Sequence, residues 1–456
     1  LGLIVARPVV SDPLQWLAQF DHSLIKPGLG RIQRLLEAFD HPHRRWPAVH
    51  VAGTNGKGST AAMITAILRA AGYRVGLYTS PHLHAVNERM RVDGAPISAG
   101  RLSELADDLR AAMRRIGLHE SAASHAQGSP QPVTGLPTYF ECTTAIAFAH
   151  FARERVDWAV IETGLGGRFD ATNVVTPRVT VLTPIDYDHT DYLGESLTSI
   201  AWEKAGILKP GVPAVVAPQP PDALAVIEEE ARRQVAPLIR YGREFAVEAV
   251  EEEAAGAQRF AYRDGEGARS GLVCPLLGRH QLLNAASAIA AVSVLRRGGV
   301  GIGPAAVADG LASVRWEGRL EVVRERPRLL LDGAHNPAAA RVLAAFLADE
   351  KRRLGGEVTL VFGIMRDKAA ADVIAELHPV VDRWIATAPS TPRALPADRV
   401  AAAIEAAGGK VTVAPDPVEA VAGVLPLLSP QDLCCVTGSF YMVAAAREAF
   451  ICSAPS

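Results

Sequence analysis

Five cysteines in 456 residues, Cys142, Cys274, Cys434, Cys435 and Cys452, make no Cys-x-x-Cys pair and no spacing typical of a disulfide framework. An odd number of such thiols excludes a stapled secreted scaffold and points to a reducing compartment with ordinary buried thiols. No uninterrupted run of about 18 apolar residues occurs, so no spanning helix is expected and a membrane role is excluded. The opening Leu-Gly-Leu-Ile-Val is too short for the apolar region of a signal peptide and no basic segment precedes it, which predicts a cytoplasmic protein. An excess of one charge is missing too, since 47 Lys and Arg face 49 Asp and Glu, a formal charge of −2. Nonspecific nucleic-acid or anionic-membrane binding is thereby excluded as the main task, although local basic pockets are not. Repeats and low-complexity tracts are absent, and nothing marks a large self-association face, so a monomer is expected.

What is present is ordinary for a globular enzyme: 49% hydrophobic and 21% charged residues. The length exceeds a single core and predicts two domains. Apolar, β-branched runs alternate with helical stretches at Val49–Val51, Val75–Tyr78, Trp158–Ile161, Val179–Leu182 and Ala214–Val216. A second series follows Trp316, at Leu329–Leu331, Val358–Phe362, Trp384–Ala386, Val411–Val413 and Leu433–Val436. The pattern predicts an α/β protein: a P-loop-type ATPase domain with a mostly parallel sheet over residues 1–313, then a smaller Rossmann-like α/β domain over 314–456. Between them, the polar, Glu-rich Ala246–Ser270 reads as a hairpin-like excursion before a helix around Gln281–Leu295. The Ser-, Gln-, Gly- and Pro-rich stretch Ser121–Gly135 reads as a mobile surface loop.

Val51-Ala-Gly-Thr-Asn-Gly-Lys-Gly-Ser-Thr60 ends one of these strands and opens a helix. Gly53, Gly56 and Gly58 let backbone N–H groups converge on an anion, Lys57 supplies a cation, and Ser59 or Thr60 reaches toward a Mg²⁺. The spacing is a variant of the P-loop, because Val51 stands where its first glycine would fall and Gly58 separates Lys57 from Ser59. ATP is the ligand this loop predicts.

Other polar groups gather at strand ends. Glu162 ends a strand before a loop with Gly164, Gly166 and Gly167, and is the leading candidate for a Mg²⁺ ligand, against a solvated strand-end acid. Asp186, Asp188 and His189 follow another strand; His189 is a site candidate, whereas the acids also fit a turn-capping role. Lys204 reads on composition as an ordinary helix lysine near a Gly terminus. Asn336 and Pro337 read as N-cap and first helical residue, which leaves Asp332 and His335 unexplained. Arg319 fits either a phosphate clamp or a surface salt bridge.

These segments, in this order, resemble the folylpolyglutamate synthase and dihydrofolate synthase family within the Mur ligase group. The likeness is carried by KPGLGRI at Lys26–Ile32, HVAGTNGKGS, TSPHL at Thr79–Leu83, TYFE at Thr138–Glu141 and ETGLGGRFDATN at Glu162–Asn173. It continues through DHTDYLG, EKAGILK, GRHQLLNA, WEGRLE, LDGAHNP, FGIMRDK at Phe362–Lys368 and TGSFY at Thr437–Tyr441. One departure is Glu317 in WEGR, where the family often has Pro.

The resemblance implies an ATP-dependent ligase of folate biosynthesis. It would activate a carboxylate as an acyl phosphate, which the amine of L-glutamate attacks; the acceptors would be dihydropteroate, reduced folates, or both. It implies ATP phosphates on Gly53, Thr54, Asn55, Gly56, Lys57, Gly58 and Ser59, and two Mg²⁺ served by Ser80, Glu162, His189 and a carbamylated Lys204. It further implies adenine at Asn284, ribose at Asp332, Arg319 as phosphate clamp, His335 at the reacting centre, and pterin near Phe140 and Asp170. Another Mur-type ligase with a non-folate acceptor, or a nucleotide-switched binding protein that hydrolyses ATP without ligation, would use similar nucleotide machinery.

Overall fold

A computed structural model describes residues 13–20, 26–118, 135–252 and 257–451. The opening pentapeptide, Cys452 and residues 121–134 of the expected surface loop lie outside them. Cys142, Cys274, Cys434 and Cys435 are free and buried, and no helix among the described residues is long and apolar enough to cross a membrane.

The first sheet contains β1 (Ala48–Ala52), β2 (Val75–Tyr78), β3 (Met90–Val92), β4 (Ala95–Pro96), β5 (Trp158–Glu162), β6 (Val179–Leu182), β7 (Ala214–Val216) and β8 (Leu238–Arg240). Their spatial order is β4-β3-β2-β5-β1-β6-β7-β8, antiparallel only at the β2–β3 and β3–β4 pairs. Strands β1, β2, β5, β6 and β7 are buried at every residue. Burial on both faces explains why they read as continuous apolar runs rather than as alternations. Helices Lys57–Ala70, His280–Arg297 and Pro304–Ser313 cover one face, contributing Ile64, Ile289 and Leu311 to one core. Helices Gly30–Ala38, Ala99–Arg115 and Tyr139–Arg153 cover the other through Leu35, Leu105 and Phe148.

The Glu-rich excursion is a three-stranded antiparallel sheet rather than a hairpin: β9 (Phe245–Glu252), β10 (Gln258–Asp264) and β11 (Gly267–Cys274). Its third strand is hard to read because Gly267–Ser270 are polar and largely exposed, and only Leu272 and Cys274 turn fully inward. The last sheet holds β12 (Glu321–Glu325), β13 (Arg328–Leu331), β14 (Val358–Phe362), β15 (Arg383–Ala386), β16 (Val411–Val413) and β17 (Leu433–Thr437). Its order is β12-β13-β17-β14-β15-β16, parallel except at the edge strand β12.

The carboxyl ends of β1, β5, β6 and β13 meet across the two units, and Asn336 is among the residues that tie them. Asn336 caps helix Pro337–Leu354 by accepting from Ala339 N at 2.9 Å. Its amide also donates to Asn55 Oδ1 at 3.1 Å and Asp188 Oδ2 at 3.0 Å, and accepts from Asn55 Nδ2 at 3.2 Å. A residue explicable by local capping thus also fastens the phosphate loop to the second unit. Asn336→Ala is expected to lose the cap and leave Asn55 and Asp188 short of a partner, costing about 2 kcal/mol in urea unfolding. A loss below about 0.5 kcal/mol would show that these four bonds are readily replaced by water.

Candidate active site

Gly53 follows β1 with φ +148°, and a Cβ there would stand 2.8 Å from the backbone oxygen of Thr183. Backbone does not yield, so β1 and the loop after β6 approach only through glycine. Thr54 fastens the next turn: its hydroxyl donates to Asp186 O at 2.9 Å and accepts from Asp186 N at 3.0 Å. Gly56, at φ +84°, leaves room for Asn284, whose Oδ1 lies 2.3 Å from where a Cβ would be. Helix Lys57–Ala70 then starts with no side-chain cap. Its first amides are therefore available to an anion, with the helix dipole behind them.

Behind this cradle lies a cluster of buried charges. Lys57 Nζ donates to Thr54 O at 3.0 Å; burial holds its pKa below the usual lysine value, and Glu162 and Asp188 partly offset that. Glu162 is paired in register with Val51, so β5 delivers it beside the loop. It accepts a hydrogen bond from Ser80 N at 3.0 Å. Burial pushes its pKa up, and the Lys57 cation is the largest counterweight. Lys204 Nζ donates to Gly53 O at 2.8 Å, and burial, followed by repulsion from Lys57, brings its pKa from 10.5 down to about 7. Lys204 does lie in the last turn of helix Leu197–Ala205, before Gly206, but its burial makes it no ordinary helix lysine.

On the other side, Asp188 Oδ1 accepts from Lys368 Nζ at 2.6 Å and its Oδ2 faces His335 Nε2 at 3.6 Å. Burial alone would raise this carboxyl, but His335, His189 and Lys368 hold it well below the usual carboxylate range. His189 is pushed down to about 4, mainly by burial against the pull of Asp188, so its imidazole is neutral at pH 7. His335 Nδ1 lies 2.8 Å from Gly333 O.

Arg319 makes no ion pair among the described residues, which removes the salt-bridge reading. Its guanidinium lies 4.2 Å over the Phe440 ring and is buried, with Asp332 and Glu162 offsetting the cost. Asp332 spends one oxygen on Leu320 N and the other on Ala334 N, each at 2.9 Å, and so shapes the loop it begins. Asn284 is steadied by donating to Gln281 Oε1 at 2.9 Å. Asp170 Oδ2 accepts from Gly164 N and Leu165 N, both at 2.9 Å, and its Oδ1 caps Thr172 N. Phe140 packs against Gly164, where a Cβ would be 2.4 Å from the ring.

Thr54, Gly56, Lys57, Ser80, Phe140, Glu162, Asp170, Asp188, His189, Lys204, Asn284, Arg319, Asp332, His335 and Lys368 line one cavity of ≈ 800 Å³, with Gly53 just behind its wall, within the usual range for a cofactor or substrate site. Sequence reasoning assigned no function to Lys368, Asn336 or the buried His280, although Lys368 lies within one of the quoted motifs and Asp188 adjoins His189. No three His, Cys, Asp or Glu among the described residues converge into a self-sufficient metal site. Mg²⁺ does not need one, because it keeps waters and takes phosphate oxygens beside one or two carboxylates. Glu162, with no donor on its second oxygen among the described residues, suits such a partial set, as does the neutral His189.

A phosphate cradle on a parallel sheet, backed by buried lysines and a carboxylate and roofed by a second α/β unit, makes this an ATP-dependent Mur-type ligase. Residues 106–292 match the Mur ligase middle domain and residues 318–440 the Mur ligase, glutamate ligase domain. The chain is 37% identical over 426 residues to the dihydrofolate synthase/folylpolyglutamate synthase of Bacillus subtilis, covering 93% of this chain and 95% of the relative. A folylpolyglutamate synthase structure from Mycobacterium tuberculosis, complexed with ADP and AMPPCP, superposes with a TM-score of 0.87 at 34% identity, covering 98% of this chain and 100% of the other. An Escherichia coli structure in complex with DHPP and ADP gives 0.83 at 32% identity, covering 96% and 97%. The chain belongs to the dihydrofolate synthase/folylpolyglutamate synthase family.

Proposed function

We propose that this chain joins L-glutamate to both dihydropteroate and the γ-carboxylate of reduced folylglutamates, using ATP, as a monomer in the cytoplasm whose two units divide near Ser313. The observation that carries the reading is the continuity of one cavity from the phosphate loop, past Glu162, Arg319 and His335, to Phe140 and Asp170. An acceptor carboxylate oxygen attacks the γ-phosphorus of ATP, the bond to the bridging oxygen of ADP breaks, and an acyl phosphate results. The glutamate amine then attacks the acyl carbon, phosphate leaves, and the amine proton departs as the amide forms.

Two anions must meet in the first step, so the site must offset charge before it does anything else. Loop amides 53–59 and Lys57 hold the phosphates, and Arg319, fixed over Phe440, takes the transferring group. Asn284 contacts adenine and Asp332 the ribose. Phe140 and Asp170 hold the pterin, the latter through the loop it orders. His335, braced by Gly333 O and Asp188, orients the incoming amine, and the second unit keeps water from the acyl phosphate. Ser80, Glu162, His189 and Lys204 as carbamate would hold two Mg²⁺, which would supply further charge compensation when bound.

ADP release should require ATP, Mg²⁺, L-glutamate and an acceptor together, with mass spectrometry showing one added glutamyl group on dihydropteroate and on a reduced folate. Addition to one acceptor alone would remove the bifunctional part. Addition to neither, with ATP still bound, would reject the folate reading in favour of another Mur-type acceptor, and ADP release without acceptor or amine would mean a nucleotide-switched protein.

A further inference from the structure

Lys368 takes no part in the chemistry above, yet it stands in the midst of it. It lies on the segment after β14, in the second unit, and reaches across to the first. Its ammonium lies 2.6 Å from Asp188 Oδ1 and 3.2 Å from His189 Nε2. An ammonium only donates, so the His189 Nε2 lone pair is spent on it. The same lone pair is what a cation at His189 would need, and two cations sharing it would also repel each other at short range.

We propose that Lys368 is an exchangeable cation: it holds Asp188 and His189 until a divalent ion enters at His189, and its displacement releases one of the links between the two units. The inference rests on the reading of His189 as a metal-facing residue. The geometry makes the lysine the mobile partner. His189 is pinned at φ +53°, and its N–H donates to Asp188 Oδ1 at 2.9 Å. Asp188 keeps Asn336 Nδ2 at 3.0 Å and the facing His335 when the lysine leaves, so no buried carboxylate is stranded. The Asn55–Asn336 amide pair and the Asp188–Asn336 bond remain as links between the units. Metal loading would therefore loosen the two units without separating them.

The test uses the full chain with Mn²⁺ alone as probe. In a short acetic-anhydride pulse read by peptide mass spectrometry, Lys368, whose side chain is 9% exposed, should be protected without Mn²⁺. At saturating Mn²⁺ it should acetylate about tenfold faster, while the surface Lys351 stays unchanged. The His189→Ala variant should show no such Mn²⁺ response. By electron paramagnetic resonance titration, Lys368→Met should bind the ion at His189 about tenfold more tightly than the unaltered chain, because its competitor is gone. Equal protection of Lys368 with and without Mn²⁺, in a chain whose Mn²⁺ affinity falls on His189→Ala, overturns the exchange and leaves the metal reading intact. Mn²⁺ affinity indifferent to His189→Ala overturns both. The acetylation arm reads the unaltered chain and stands even where Lys368→Met fails to fold.

Discussion

Glu162→Gln should lower turnover about 10³-fold while leaving the melting temperature unchanged or raised. Glutamine has the same shape, and its carbonyl oxygen still accepts from Ser80 N, the one hydrogen bond Glu162 receives among the described residues. What disappears is a negative charge that burial disfavours and that Lys57 is the first to compensate. Removing one member of a buried ion cluster usually destabilises, because its partner is left alone. Lys57 is protected from that outcome by its bond to Thr54 O and by the Asp188 charge. Activity and stability therefore separate at this position. Calorimetry alongside ADP-release kinetics over a Mg²⁺ series checks it: the variant should need more Mg²⁺ and reach a far lower plateau. Full turnover with an unaltered Mg²⁺ dependence would remove Glu162 from the reaction.

Much of this was legible in the sequence because burial and backbone geometry leave local traces. Val75–Tyr78, Val179–Leu182, Ala214–Val216 and Val358–Phe362 match β2, β6, β7 and β14 residue for residue, since strands covered on both faces must be apolar throughout. Strands β3, β4, β8 and β12 were not, because they are short strands at or next to a sheet edge with exposed or charged positions, such as Ala95–Pro96 and the final Arg324-Glu325 of β12. The site divides in the same way. Gly53, Lys57 and Glu162 declare themselves through a strand, a turn and a helix start next to one another. Lys368 and Asp188 are 180 positions apart, and only the docking of two domains makes them partners. Asn336 is subtler: the local rule that explained it as a cap was right, and it concealed a second role across the interface.

The site also shows why this fold must close around its charges. Lys57, Lys204 and Arg319 are all buried, and burial lowers the pKa of each. The carboxylates around them, Glu162, Asp188, Asp170 and Asp332 among them, only partly offset that cost, and a polyphosphate is a ligand whose charge would offset more of it. The protein accepts a locally unfavourable arrangement so that the transferring phosphoryl group meets oriented cations rather than water.

Lys204→Ala should cost about 10²–10³-fold in turnover, and small carboxylates such as acetate should partly restore it. The carbamate proposed for Lys204 forms when a neutral amine attacks CO₂ and releases a proton. A pKa of about 7 supplies that neutral amine near neutrality, where an ordinary lysine would be almost wholly protonated. Acetate in the space the side chain leaves would return an anionic oxygen donor. Lys204→Arg, always cationic, should stay inactive with or without acetate. If the ammonium itself were the working group, ethylamine would rescue Lys204→Ala and acetate would not. The same shift fixes the sign of a pH effect measured without bicarbonate. Between pH about 7 and the unfolded value of 10.5, the unfolded chain binds more protons at this residue than the folded one. Stability contributed by Lys204 therefore rises with pH across that window, being lowest below about 7, where a charged amine is held in the interior. Against Lys204→Met, which lacks the titration, the unaltered chain should gain in melting temperature from pH 7 to about 9. A constant difference would mean that Lys204 enters the fold already charged, and the carbamate would lose its chemical basis.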